Sequence, residues 1–471
     1  MESKLKIACD ELDKFLSSLS QPNSPSPEVK LLSAAVTSTT TSSSYPSEAY
    51  RCKCSFQIVA DDNDDLSCVV RENGSICHLP GGIFLPANFR IRKAMMCLMK
   101  LLNKRNDIKE RRGDDAKTTH TFQKIRENLT SVTFDTSWDE VECLATLHYG
   151  PPGLPQACEW KNEAQRVCDE CQFAQVTGRS KGIKISVLGS TSSESLATAI
   201  DNGSILEEDI IRDTIWLELK MPIDDKSTYR VISVSMVQPN QSADILNVPI
   251  QYQKPATAFQ HPNAGVMLTS LLWILQTISK VAEQQSTKPR LLEMYCGCGA
   301  HTIPLAKSTL ISEIVAVELD ERLVNACKNN CRLNNCLKGE ESEYGSNETL
   351  VDVFKGDAAE WAVKTLRCIH KKNRVSEVAN TDNATSLLAN DYNQFDILLV
   401  DPPRQGLDKT VCEMAIKGTF SHLLYISCGR RALIRDLTIL CTEFAIEDLA
   451  VIDLFPGTDA VETLIHLKRK H

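Results

Sequence analysis

Apolar positions along the chain fall into two textures. Residues 263–285, NAGVMLTSLLWILQTISKVAEQQ, repeat apolar side chains at helical spacing and predict a long helix. After it, short apolar runs alternate with amphipathic stretches. The runs LLEMY (291–295), IVAVEL (314–319), VDVF (351–354), DILLV (396–400) and LLYIS (423–427) predict buried strands. Segments 300–309, 320–334, 358–370, 408–417 and 430–443 predict the helices between them. That alternation predicts βαβ units and a parallel sheet. LAVIDLF and TLIHLKR follow with almost no helix between, so the last two strands should pair antiparallel in a seven-stranded sheet. Two polar inserts, 338–349 and 371–393, predict surface loops.

Upstream the texture differs. YRCKCSFQIVA, LSCVV, SVTF, VECLATLHY and GIKISVL are rich in β-branched and aromatic residues and predict strands. Helical patterns lie near 90–104 and 157–175, so 50–255 reads as one α+β domain. QPNSPSPE and TSTTTSSSYPS, within 21–49, are rich in Ser, Thr and Pro and poor in apolar residues. Segment 1–49 is therefore expected to be flexible, ahead of domains at 50–255 and 256–471. No internal repeat is visible.

Composition adds bounds. At 42% hydrophobic and 24% charged residues the chain is an ordinary globular one. No run of about eighteen apolar residues predicts a membrane span, and Met1-Glu2-Ser3-Lys4 does not open a secretory signal. Nineteen irregularly placed cysteines predict free thiols in a reducing, intracellular compartment, the cytoplasm or an organelle. Cys158, Cys168 and Cys171 read as helix thiols rather than cluster ligands, and no metal site is expected. The net charge of −9 argues against nucleic acid as partner, but a local basic field can override it. Residues 90–112 carry nine Lys and Arg with few acids between, which is either a nucleic-acid face or a solvated helix face.

Four constellations sit at predicted strand ends. In LLEMYCGCGAHTIPLA a strand meets Gly297 and Gly299 before a helix, with Glu293 and Tyr295 ahead. The third glycine of a dinucleotide loop is missing, which suits a nucleoside ligand without phosphate, such as S-adenosylmethionine, or a bare tight turn. Glu318, nineteen residues after Gly299, is placed to accept ribose hydroxyls or to start a helix. Asp357 is placed to face adenine or to cap a helix. VDPPRQGLD brings Asp401 and Arg404 to the same edge. Adenine and amine N-methyltransferases have an aromatic residue where this chain has Arg404, and 5-methylcytosine RNA enzymes have cysteine at Pro403, so the motif argues against both. Finally, LLYIS delivers Cys428 to Gly429, Arg430 and Arg431, and Glu462 opens the last strand.

DPPRQG, sixteen residues, then LLYISC resembles the RNA 5-methyluridine methyltransferases, and within them the tRNA (uracil-5-)-methyltransferase branch. YRCKCSFQIVADDNDDLSCVV, ATLHYGPPG, GRSKGIKI, AFQHPNAGVM, LLEMYCGCG and DLFPGTDAVE follow in family order. The resemblance implies an α/β chain: a C-terminal Rossmann-like class I methyltransferase domain preceded by an α+β RNA-binding domain. It implies methylation of uracil C5 in RNA, with the T-loop uridine of tRNA expected. Cys428 would be the nucleophile and Glu462 the base. His261, Tyr295, Gly297, Glu318, Asp357 and Asp401 would bind S-adenosylmethionine, and Phe259 and Arg404 the uracil. Arg430 or Arg431 is expected to favour the Cys428 thiolate. Arg51, Lys53, Arg179 and Lys181 are expected RNA contacts, on a monomer without membrane contact. Three positions depart from the family: His261 for Gln, Gly429-Arg430 for Asn-Pro, and Asp459 for His. They leave open a non-catalytic RNA-binding or RNA-folding protein; a methyltransferase of small molecules or proteins is the other alternative.

Overall fold

The computed structural model describes residues 2–19, 28–32, 49–72, 74–106, 119–189, 209–220, 230–256, 258–259, 261–339, 349–375 and 394–470. The chain forms two compact units, one of 1–37, 214–254 and 258–471, the other of 38–213 and 255–257. The division runs inside a strand at 213/214, upstream of the boundary expected at 255/256.

The chain opens with α1 (Glu2–Leu19) and β1 (Val29–Leu32), both in the larger unit. They correct the expectation of flexibility for these residues. Leu5, Ala8, Leu12 and Leu16 recur at helical spacing, and Ala8 and Leu12 are buried in the main core of the larger unit. Ser/Thr/Pro-rich composition further along outweighed that short periodicity. Residues 20–27 and 33–48 lie outside the described ones.

The smaller unit holds β2 (Lys53–Ala60), β3 (Leu66–Glu72), β4 (Ser75–His78), α2 (Phe89–Leu102), β5 (Arg105–Asn106), β6 (Thr119–His120), α3 (Gln123–Arg126), β7 (Leu129–Thr136), β8 (Cys143–Tyr149), α4 (Ala157–Glu170), β9 (Gln175–Ser180) and β10 (Ile183–Leu188). Its seven-stranded sheet runs β10-β9-β8-β7-β2-β3-β4. Along β2, Cys54, Phe56 and Ile58 alternate inward. Helix α2 buries Ile91, Met95, Leu98 and Leu102 against Phe56 and Phe134, and Asn88 Oδ1 caps it by accepting from Ile91 N at 2.9 Å.

β11 (Ile210–Lys220), β12 (Arg230–Ser235) and β13 (Ile245–Pro255) form a three-stranded sheet, β12-β11-β13. The larger unit continues with α5 (Ala264–Glu283), β14 (Arg290–Met294), α6 (Thr302–Lys307), β15 (Glu313–Glu318), α7 (Glu321–Leu333), β16 (Leu350–Lys355), α8 (Ala358–Val375), β17 (Ile397–Val400), α9 (Lys409–Lys417), β18 (His422–Ser427), α10 (Arg430–Leu440), β19 (Phe444–Ile452) and β20 (Glu462–Arg469). Its sheet runs β1-β19-β20-β18-β17-β14-β15-β16. The predicted alternation is present, and β19 and β20 pair antiparallel as expected. β1 adds an eighth strand, parallel to β19. Helix α8 runs to Val375, into the segment read as a loop; 340–348 and 376–393 lie outside the described residues. Among the described residues α5 alone has the length and apolarity of a membrane span, and 78% of that window is buried within the fold, so its apolar surface is core. β14 lies between β15 and β17, so the sheet order reverses there and opens a crevice at the carboxyl ends of β14 and β17.

Candidate active site

Register places the reactive groups. Ser427 on β18 faces Thr463 on β20, the last pair of that ladder. Cys428 is the next residue on one strand and Glu462 on the other, so they stand across from each other just beyond the ladder. On the far side of β18, Val400 of β17 pairs with Tyr425, and Asp401 follows at the same edge. Three adjacent strands thus bring Asp401, Cys428 and Glu462 together.

Their charges are coupled. Glu462 is buried, and burial with the nearby Asp401 carboxyl holds it well above the usual carboxylate range, against the pull of Arg404. Burial pushes Asp401 up to about 7. Burial, Glu462 and Asp401 push the half-buried Cys428 thiol up to about 11, with Arg404 opposing. Arg404 is therefore the cation that acts on Cys428, which corrects the expectation placed on Arg430 and Arg431. Arg430 instead faces Glu11 of α1, Nη1 to Oε2 at 3.4 Å. The thiol is protonated at neutral pH and needs an acceptor for its proton; Asp401, at about 7, lies where acid–base groups work best, and Glu462 is raised in the same direction.

The loop 401–406 is clamped from α10. Asp436 Oδ2 accepts from Leu407 N and from Tyr425 Oη, both at 2.8 Å. Arg435 Nη2 donates to the carbonyls of Gln405 and Leu407, both at 3.0 Å. Gly406 has φ +79, and a Cβ there would lie 2.5 Å from Asp436 Oδ2. A Cβ on Gly429 would lie 2.2 Å from the Arg404 carbonyl oxygen. The Arg404 loop rests on the backbone of Gly429, in the space a side chain there would fill.

The glycine turn forms the other half. Tyr295 and Gly297 both have positive φ, +65 and +58, and the Cβ position of Gly297 points into open space. Gly297 N donates to Glu318 Oε2 at 3.0 Å, while Glu318 Oε1 accepts from Leu319 N and Asp320 N, both at 2.8 Å. A carboxylate offers about four acceptor sites, so Glu318 anchors the turn and retains capacity for a hydroxyl. Asp357 Oδ1 accepts from Ala359 N at 2.9 Å and Glu360 N at 3.0 Å, so it caps the start of α8. His261 Nδ1 accepts from Asn263 N at 3.2 Å. Burial lowers both His261 and the nearby His301 to about 4, so both are neutral. Phe259 is 77% exposed, beside Ala258, which is buried against Cys298 and Leu323.

Glu293, noted in the sequence without a role, is buried, accepts from Thr302 Oγ1 at 2.7 Å and is pushed by burial up to about 8. Only its depth distinguishes it from an ordinary strand acid. The groups at the turn are carboxyls, a phenol and neutral imidazoles, with no cation among them. That set repels phosphate and fits a cationic sulfonium nucleoside whose ribose hydroxyls need acceptors.

Of the expected RNA contacts, Lys53 pairs with the buried Asp135 at 3.2 Å and Arg179 with the buried Asp209 at 3.3 Å. Arg51 is half-buried and Lys181 is exposed in the β9–β10 turn. In the basic stretch, Arg92 Nε donates to the Ala87 carbonyl and Arg105 pairs with Asp65, both at 2.8 Å, whereas Lys93, Lys100 and Lys104 are exposed.

The tRNA (Uracil-5-)-methyltransferase family model matches residues 226–339 and 373–470. A tRNA/tmRNA (uracil-C(5))-methyltransferase of Aliarcobacter butzleri is 28% identical over 293 residues, 60% of this chain and 68% of that protein. One of Pseudomonas savastanoi pv. phaseolicola is 27% identical over 321 residues, 68% of this chain and 79% of that protein. The fold is similar to the crystal structure of Pyrococcus abyssi tRNA (uracil-54, C5)-methyltransferase in complex with S-adenosyl-L-homocysteine. The TM-score is 0.52 at 14% identity, covering 99% of this chain and 83% of that one.

Proposed function

The chain belongs to the tRNA (uracil-5-)-methyltransferase family, and from that premise we propose that it methylates C5 of a T-loop uridine in tRNA through a covalent Cys428–C6 adduct. At the coarser level it is an S-adenosylmethionine-dependent RNA (uracil-C5)-methyltransferase. The observation that carries the finer reading is the register that sets Cys428 across from Glu462, with Asp401 on the next strand.

Uracil C5 is a poor nucleophile. Cys428 gives its proton to Asp401, which leaves Glu462 free for the later step, and adds to C6, and the ring electrons move onto C5 and O4. Arg404 meets the negative charge that develops on the uracil oxygen. Gly297, Glu318, Tyr295, Asp357, His261 and Asp401 would hold S-adenosylmethionine, which would supply the electrophilic methyl group. C5 then carries both methyl and hydrogen. Glu462 takes that proton, the C5–C6 double bond re-forms, and the Cys428 thiolate leaves. A carboxylate raised by burial is a stronger base than an exposed one, which suits a proton leaving carbon.

The target uridine must leave its stack, which costs a few kcal/mol. The exposed Phe259 ring offers a stacking surface worth about 1–3 kcal/mol. Lys93, Lys100, Lys104 and Lys181 offer exposed cations to phosphate. Nineteen cysteines at irregular positions in the sequence favour a reducing compartment.

The test is methylation of an unmodified tRNA transcript, with the product mapped for 5-methyluridine. One 5-methyluridine in the T-loop is expected. No methylation by folded protein, or methylation elsewhere in the tRNA, would overturn the reading.

A further inference from the structure

Helix α1 reaches both sides of the Cys428–Glu462 pair. The Lys4 ammonium donates to the carbonyls of Phe455 at 2.9 Å, Thr458 at 2.7 Å and Ala460 at 3.2 Å. It also pairs with Asp453 Oδ1 at 2.5 Å, and the two side chains are only 11% and 14% exposed. All four oxygens belong to residues 453–460, in the connection between β19 and β20. About two turns of helix further on, Glu11 faces Arg430, two residues after Cys428.

The connection needs such a partner. Its carbonyls have no ladder to join; the contacts to Phe455 and Ala460 are part-buried and that to Thr458 is exposed, and part-buried backbone groups need partners. Within it, Thr458 N and Oγ1 donate to the Phe455 carbonyl, and Ala460 N donates to Thr458 Oγ1. From the other side Asn263 Nδ2 holds the Leu454 carbonyl at 2.8 Å. Glu462 is the first residue of β20, paired with Ile452, the last of β19. Strand ends fray unless the chain beyond them is tied. The chain immediately before Glu462 is tied by the apolar burial of Val461, the Ala460 carbonyl on Lys4 and Ala460 N on Thr458 Oγ1.

We propose that α1 is a positioning element of the active site, and that Lys4, by gathering the 453–460 carbonyls, keeps the Glu462 carboxyl aimed at the carbon it deprotonates. The inference rests on the assignment of Glu462 as the base. Lys4 touches no substrate; it is a positioning residue, and its loss acts at the proton-removal step.

The experiment uses the full chain, unmodified tRNA transcript and labelled methyl donor in a single turnover. It reads two quantities, methyl entry into RNA and the covalent RNA–protein species that survives denaturation. Lys4→Met should leave methyl entry within about threefold of the parent yet slow adduct resolution by about tenfold or more, so that the adduct accumulates. Lys4→Arg, which keeps charge and donors, should restore most of the resolution rate. Asp453→Asn leaves the three carbonyl contacts in place but removes the ion pair that fixes Lys4; it should accumulate adduct above the parent, to a smaller extent than Lys4→Met, and it carries the test should Lys4→Met fail to fold. Glu462→Gln runs alongside. If Glu462→Gln accumulates adduct while the Lys4 and Asp453 variants slow both steps equally, or neither, the inference is overturned and the base assignment stands. If Glu462→Gln accumulates none, the base assignment fails and the inference falls with it.

Discussion

Gly429 and Glu293 illustrate what single residues contribute. At Gly429 the neighbour is backbone, the Arg404 carbonyl, which cannot rotate away. Gly429→Ala should therefore displace the Arg404 loop from Cys428, costing about 1–3 kcal/mol of stability and most of the rate of adduct formation. Thermal melting and adduct gels check this, and a parent-like variant would contradict it. Glu293 holds its proton up to about pH 8 in the fold, against a usual value of 4.5. Its contribution to stability is complete below 4.5 and is lost as pH rises through about 8. Asp401 and Glu462 act in the same direction. Below about pH 6.5 the buried neutral histidines, His261 and His301 among them, pull the other way, so melting temperature should fall between about pH 6.5 and about pH 8.5, and Glu293→Gln should flatten that slope; an unchanged slope would contradict the burial argument. The sequence placed Cys428, Glu462, Asp401 and Arg404 at one edge because strand ends are readable from apolar runs. It assigned no role to Glu293 because depth depends on what packs above a strand, and it misassigned the cation near Cys428 because direction along a helix start is a tertiary fact.

Elements set the loops that carry these groups. The 401–406 loop has no ladder of its own and depends on Asp436 and Arg435 of α10 and Tyr425 of β18. Tyr425→Phe removes one donor from the buried Asp436 and should cost about 1 kcal/mol, with a small loss of rate. Asp436→Ala removes the acceptor for Leu407 N and Tyr425 Oη together, and should cost about 3 kcal/mol or more with a much larger loss of rate. Equal effects in melting and turnover would show that the loop does not depend on Asp436. The alternation of strands and helices from 291 onward was legible to within a few residues, since β14, β15, β17 and β18 are near-continuous apolar runs in a buried sheet. Helix α1 was not. Its apolar stripe is short, and its ionic contacts are with residues more than four hundred positions away.

At the scale of the whole molecule, the larger unit is assembled from three stretches of chain. Ala8 and Leu12 of α1 complete its core, and β13 binds α7 through Asn330 and Asn334, whose side chains pair with the backbone of Gln253 and Gln251. The expected domain 256–471 lacks all of these. Expressed alone it should show no cooperative thermal transition; melting like the full chain would contradict the three-stretch core. Sequence texture drew the boundary at 255 because strands of both units share one β-rich composition, and composition does not report which core a strand joins.

The central claim, that Cys428 and Glu462 act in succession on one uracil, is tested most directly by trapping. RNA bearing 5-fluorouridine at the target should form a denaturation-stable adduct with the parent protein, because fluorine occupies the place of the proton that must leave C5. Cys428→Ala should form no adduct and no product. Glu462→Gln should form the adduct on ordinary uridine RNA and fail to release it. An adduct with Cys428→Ala, or normal turnover by Glu462→Gln, would contradict the account.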